Sequence, residues 1–167
     1  MQQFINALST WILPVLISIT IHEAAHGYTA NLLGDDTAKK IGRVTLNPFK
    51  HVDRFGTIIL PLLLLLIKSP FIFGWAKPVP VDSRYLANPR IDMMKIAFAG
   101  PAANLLLALI AGTIIRITGY MGVLTSMLIM FTQINIMLAV FNMIPIPPLD
   151  GGRVAVGLLP KYFSYQL

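Results

Sequence analysis

"TIILPLLLLLI", residues 57–67, decides how this chain is folded. The run is apolar apart from its first residue and is closed by Lys68, Ser69 and Pro70. A helix of that length covers roughly 16 Å, about half of a hydrocarbon core about 30 Å thick. It is apolar enough to enter a membrane and too short to cross one. Three other apolar segments are long enough to cross: 4–33, 91–118 and 120–144. Whether 57–67 crosses or returns sets which ends of those three helices meet on one side.

The composition makes a membrane the natural setting. Of 167 residues, 56% are hydrophobic and only 12% charged, and the mean hydropathy is +0.72. Soluble domains carry roughly twice that share of charge. The fold class expected is an all-α polytopic membrane protein. It has three core transmembrane helices, a re-entrant segment at 57–67 and a small membrane-associated β-element. The β-element falls within 38–50, where "AKKIGRVTL" alternates apolar and polar residues as a short strand or hairpin does. Gly34 is the expected stop of the first helix, and Gly100 and Pro101 are expected to break the second span. The segment after 150 reads as a short helical tail. No internal repeat or linker divides residues 1–167, so one domain is expected. The first apolar segment lacks the basic start and small-residue cleavage site of a removable signal. With no cysteine, disulfides and thiolate metal sites are excluded. The net charge of +6 reads as topology rather than as nucleic-acid binding.

The basic residues support the re-entrant reading. Lys39, Lys40, Arg43, Lys50 and Arg54 precede the run, and Lys68, Lys77, Arg84, Arg90 and Lys95 follow it. Arg153 and Lys161 follow the last span, and only Arg116 lies elsewhere. If 57–67 crossed, the two groups of five would lie on opposite faces. If it returns, all the basic residues but Arg116 share one face, which the positive-inside rule makes cytoplasmic. The first helix then runs inward, and residues near 22–26 reach the same depth and side as residue 150.

At that depth the first helix carries "HEAAH". His22 and His26, four apart, project from one helical face and can reach one metal ion. Glu23 beside them is placed as a general base rather than a ligand. The chain's single Glu thus sits between two of its three His. Ionisable residues within a membrane span are expensive and mark functional sites. A hydrolytic zinc site needs a third protein ligand and one open position. His51, Asp35, Asp36, Asp53, Asp82 and Asp92 lie in polar stretches where charge is unremarkable. Asp150 follows "NMIPIPPL", where prolines interrupt helical bonding, and precedes two glycines. Irregular backbone at membrane depth is tolerated where it lines a cavity, so Asp150 is the expected third ligand. Asn142, about two turns earlier, is a candidate donor to a substrate carbonyl or oxyanion. Its alternative is a helix-capping amide. Gly100, Pro101 and Asn104 read as structural, permitting close helix approach.

Taken with "FNMIPIPPLDGGR", the chain resembles the site-2 protease family of intramembrane zinc metalloproteases, in particular the compact prokaryotic members without a PDZ domain. H-E-x-x-H matches His22, Glu23 and His26. N-x-x-P-x-x-x-L-D-G matches Asn142, Pro145, Leu149, Asp150 and Gly151, and G-P-x-x-N matches Gly100, Pro101 and Asn104. The resemblance implies one Zn2+ held by His22, His26 and Asp150, with Glu23 as the catalytic carboxylate. It implies transmembrane or membrane-tethered protein substrates, cut within or near the bilayer. It also implies a multi-pass location in a prokaryotic cell membrane, with the active site toward the cytoplasm. A strand within 38–50 would pair with an unwound substrate. The competing reading is a non-proteolytic zinc-binding membrane protein, a transporter or sensor. Transport needs polar groups along the spans, and the outer halves "INALSTWILPV" and "LLLALIAGTII" hold no acid and no His.

Overall fold

The computed structural model describes residues 2–70 and 74–160, with side chains from residue 10 onward except at residue 65. The described chain is helical, with no strand among the described residues. Its elements are α1 (Gln2–Leu32), α2 (Thr37–Lys40), α3 (Leu60–Leu66), α4 (Pro89–Thr118), α5 (Val123–Asn142) and α6 (Asp150–Leu158). α4 is the central element and packs against α1, α5 and α6, while α1 also meets α5.

α1 ends where the sequence says it should. Gly34 adopts φ +107°, a conformation only glycine reaches cheaply. The Gly34 amide donates to Asn31 O at 3.3 Å and the Asp35 amide to Ala30 O at 2.9 Å, which closes the last turn as a Schellman motif. α4 begins with Pro89 in its first turn, where a missing N–H costs nothing. The break expected near Gly100 and Pro101 is absent, because α4 runs unbroken through both. Proline removes one backbone donor, and the surrounding turns keep theirs.

Two helices, α4 and α5, are long and apolar enough to cross a membrane. Their outward faces are apolar, with Leu106, Leu109, Ile117, Met137 and Val140 all more than half exposed. The polar side chains Ser18, His22, Asn104 and Asn135 are buried between α1, α4 and α5. An apolar exterior around a polar interior suits lipid surroundings, where polar side chains turn toward neighbouring helices.

The 57–67 run is short in the structure too. Residues Arg54–Ile59 form a π-helical turn that leads into the seven residues of α3. Asp53 caps that turn, its carboxylate accepting from the amides of Phe55 and Gly56 at 3.1 and 2.6 Å. The chain reverses at Lys68, which has φ +52°. By Trp75 it is back beside its starting point: the Trp75 amide donates to Gly56 O at 3.2 Å, and Thr57 Oγ1 donates to Trp75 O at 2.8 Å. Any Cβ at residue 56 would overlap the Trp75 indole. Departure and return points are therefore locked together.

The strand expected within 38–50 is not formed, which corrects that reading. Ala38 to Lys40 belong to α2, Gly42 turns with φ +67°, and Pro48–Lys50 is a 3-10 turn. The neighbouring segment, residues 77–80, contains Pro78 and Pro80. Proline cannot donate to a ladder, so no strand pair can form between them. Arg43 does the joining instead. Its guanidinium donates to the carbonyls of Lys50, Lys77 and Pro78, the last two at 2.7 and 3.1 Å. The apolar member of the alternation, Val44, is spent on packing against α1, where a Cβ at Gly27 would lie 3.1 Å from both Val44 and Val79.

Asp35 ties the end of α1 to the segment before α4. Fully buried, its carboxylate accepts from the Thr37 amide at 2.9 Å and the Asp82 amide at 2.7 Å. Burial alone would raise its pKa. The hydrogen bonds from Thr37 and Asp82 outweigh burial and hold it below the ordinary value. A folded pKa below the unfolded one, about 3.9, gives stability that is present above that pH and is lost as pH falls through the folded value. Asp35→Ala should lower stability at neutral pH by about 1–3 kcal/mol through two orphaned amides. The loss should shrink as the wild type is acidified below about pH 4. Thermal unfolding in detergent across that range checks both, and an unchanged melting temperature at pH 7 would refute the tie.

Candidate metal centre

His22 and His26 lie one turn apart on α1, and Asp150 opens α6. One ligand atom from each of the three lies within 4.8 Å of the others. The separations are 3.0 Å between the two Nε2 atoms, 3.2 Å from His22 Nε2 to Asp150 Oδ2 and 3.3 Å from His26 Nε2 to the same oxygen. The imidazoles stand edge-on at 88°. All three residues are buried or nearly so.

The positions of the protons follow from the partners. His26 Nδ1 lies 2.7 Å from the Ile96 carbonyl, a pure acceptor, so Nδ1 carries a proton and, in the neutral imidazole that a metal binds, Nε2 holds the lone pair. His22 Nδ1 lies 2.5 Å from Asn104 Oδ1, which leaves its Nε2 in the same state. Two lone-pair nitrogens and a carboxylate oxygen with no hydrogen-bond partner then face one point. Without a cation such a set repels itself. Tetrahedral coordination with bonds of about 2.0–2.1 Å places neighbouring ligands about 3.3 Å apart, which is the spacing found. The donor set therefore fits a divalent metal ion.

Glycines make room for it. A Cβ at Gly100 of α4 would lie 2.5 Å from His26 Nε2 and 2.7 Å from His22 Cε1. Cβ atoms at Gly151 and Gly152 would strike the backbone of residues 143–147. "LDGG" is thus a tightly packed turn that presents Asp150 inward rather than a surface turn.

Glu23, next to His22 in the chain, is not one of the three clustered ligand groups. Its Oε2 accepts from the Val79 amide at 2.9 Å. Asn142 makes a bond inside its own helix, Nδ2 donating to Leu138 O at 2.9 Å, as its capping alternative would have it. The other acids and His51 are engaged locally. Asp36 pairs with Lys40 at 2.8 Å, Asp82 with Arg84 at 2.6 Å and Asp92 with Lys95 at 3.0 Å. His51 Nε2 meets Thr45 O at 2.9 Å. The roles of Gly100 and Asn104 beside the histidines were not legible in the sequence, where both read as helix-packing residues. The available signal was an amide inside an apolar span, where unpaired polar groups are costly.

Buried His and Asp side chains converging among apolar helices define a helical protein with a built candidate metal site. The profile of peptidase family M50 matches residues 10–122 and 120–166. The chain belongs to that family, the site-2 proteases. It is 40% identical over 158 residues to "Putative zinc metalloprotease YwhC" of Bacillus subtilis (strain 168), covering 89% of this chain and 68% of that protein. It is 29% identical over 150 residues to "Putative zinc metalloprotease Rip2" of Mycobacterium tuberculosis (strain ATCC 25618 / H37Rv), covering 89% of this chain and 55% of that one. To "Zinc metalloprotease MJ0392" of Methanocaldococcus jannaschii it is 24% identical over 156 residues, covering 90% of this chain and 34% of that protein. Each of these relatives is longer than this chain. No solved structure matches it.

Proposed function

We propose that this chain is the core of an intramembrane zinc metalloprotease that hydrolyses peptide bonds of transmembrane or membrane-tethered proteins. The observation that carries this reading is the meeting of His22, His26 and Asp150 beside Glu23, among helices with apolar exteriors. Residues 1–167 act as one domain with α1, α4 and α5 as three spans. The closure of Trp75 on Gly56 and Thr57 supports a 57–67 segment that leaves and re-enters on one side. With three crossings, the basic residues other than Arg116 share the cytoplasmic face, and the site opens toward it. The host is a prokaryotic cell membrane, and the named relatives come from bacteria and an archaeon.

His22, His26 and Asp150 hold one Zn2+. When bound there, zinc supplies Lewis-acid polarisation of the scissile carbonyl and acidifies the attacking water. Glu23 takes the proton from that water and passes it to the leaving amine. The Val79 amide fixes one carboxylate oxygen of Glu23 and leaves the other free to receive the proton. In this reading Asn142 exchanges its bond to Leu138 O for one to a substrate carbonyl or oxyanion. A helical substrate must unwind to expose its peptide bonds. With no strand at 38–50, that segment offers no ladder edge for the unwound chain.

The test is cleavage of single-span protein substrates by the purified full chain. Chelation should abolish cleavage and added Zn2+ should restore it. Cleavage that persists at zero bound metal would end the proposal. Stoichiometric zinc with no cleavage of any single-span substrate would favour the sensor or transporter reading.

A further inference from the structure

Behind His22 lies a chain of buried polar groups that spans all three long helices. Ser18, Asn104 and Asn135 are each fully buried. Asn104 Nδ2 donates to Asn135 Oδ1 at 2.7 Å and to Ser18 O at 3.3 Å. Asn135 Nδ2 donates to Phe131 O and to Ser18 Oγ, both at 2.8 Å. Ser18 Oγ donates to Pro14 O at 2.7 Å. None of these three side chains is left with an unpartnered atom.

The chain has a direction. The Phe131 carbonyl can only accept, so the atom of Asn135 facing it is the NH2 group. The oxygen of Asn135 therefore faces Asn104, which must present its own NH2. The oxygen of Asn104 then faces His22 Nδ1, which must hold the proton. Reversing either amide sets oxygen against oxygen at one end, an uncompensated clash in a buried site. Two backbone carbonyls, Phe131 O on α5 through Asn135 and, at longer range, Ser18 O on α1, thus set which nitrogen of His22 is protonated.

We infer that Asn135 is a positioning residue: through Asn104, and with Ser18, it locks His22 as the Nδ1–H form with Nε2 bare toward the metal site. This rests on the zinc-site reading above. Partners that fix a ligating histidine in this way are worth about 10–100-fold in metal affinity. In Asn135→Leu, Asn104 keeps only the longer contact to Ser18 O at 3.3 Å, so its amide is held less firmly in the orientation that turns its oxygen to His22. A carboxylate cannot be reversed, because both its ends accept. Adding Asn104→Asp to Asn135→Leu restores a fixed acceptor for His22 Nδ1 and removes the closer opposing oxygen, that of Asn135, leaving only Ser18 O at the longer 3.3 Å. Asn104→Asp alone confronts Asn135 Oδ1 and is expected to impair the site.

The experiment has two readouts on the full chain in detergent. Nitrogen-15 NMR of the metal-free protein reports the tautomer of each histidine. Chelator competition reports the zinc Kd. Wild type should show His22 as Nδ1–H, and Asn135→Leu should show a mixture with zinc bound about 10–100-fold more weakly. The double variant should regain both the tautomer and most of the affinity. A purely structural role for Asn135 predicts no rescue by a change at Asn104. The inference is overturned by His22 in the Nε2–H form in wild type, by wild-type affinity in Asn135→Leu, or by a double variant no better than the single. His22→Ala separates the two levels. If it binds zinc as wild type does, the site reading itself fails. If it loses zinc while Asn135→Leu keeps it, only the positioning role fails.

Discussion

Glu23→Gln is expected to abolish peptide-bond hydrolysis while leaving one metal ion bound per chain. The carboxylate is not among the three clustered ligand groups and is engaged by the Val79 amide at 2.9 Å. Glutamine is nearly isosteric and its Oε1 still accepts from that amide, so the loop before α4 stays against α1. What glutamine cannot do is take a proton from water. General base catalysis contributes about 10²–10⁴-fold, and the whole of that contribution should go. Cleavage of a single-span substrate and metal analysis on the same preparation give the answer. A Gln variant that cleaves at the wild-type rate would remove Glu23 from the mechanism. One that loses the metal would make Glu23 a ligand instead.

Asp150→Ala is expected to lower bound zinc well below one per chain. Two neutral imidazoles remain, and the only anionic member of the set is gone. Structural and catalytic zinc sites use at least three protein ligands, and two histidines on one turn hold the ion weakly. Removing the carboxylate also leaves a gap at the first residue of α6, while the packing of that helix on α4, including the fit of Gly157 against Met94 and the bond from Arg90 Nε to Val156 O at 3.0 Å, is retained. Metal analysis after dialysis against a weak chelator, with circular dichroism to show retained helix, tests the assignment. An unchanged zinc stoichiometry would remove Asp150 from the site.

Much of this arrangement was legible because it depends on spacing along one chain. Two histidines a turn apart, a glycine at the end of a helix and a run too short to span each carry their meaning locally. Asp150 needed one further step: a re-entrant 57–67 puts residues 22–26 and 150 on one side, and in the structure the side chains of His22, His26 and Asp150 meet. The strand at 38–50 failed for a non-local reason. Its alternation was real, but prolines 78 and 80 across from it withhold the donors a ladder needs, and Arg43 bonds to the carbonyls instead. Asn135 was invisible for a related reason. An asparagine within a helix has no motif around it, and its meaning lies in which residue of another helix stands opposite. Gly100 shares that fate, since only the assembled helices reveal two imidazoles where its side chain would be.

The meeting of His22 and His26 with Asp150 also bears on how the molecule holds together. The three candidate ligands come from the first and last described helices, so an ion bound between them would fasten α1 to α6. Its binding energy is then partly folding energy. The metal-free protein would then keep α6 on α4 while losing the ion's tie between α6 and α1. Loss of the ion should therefore loosen the hold of α6 on α1, read as faster amide hydrogen exchange over residues 150–158.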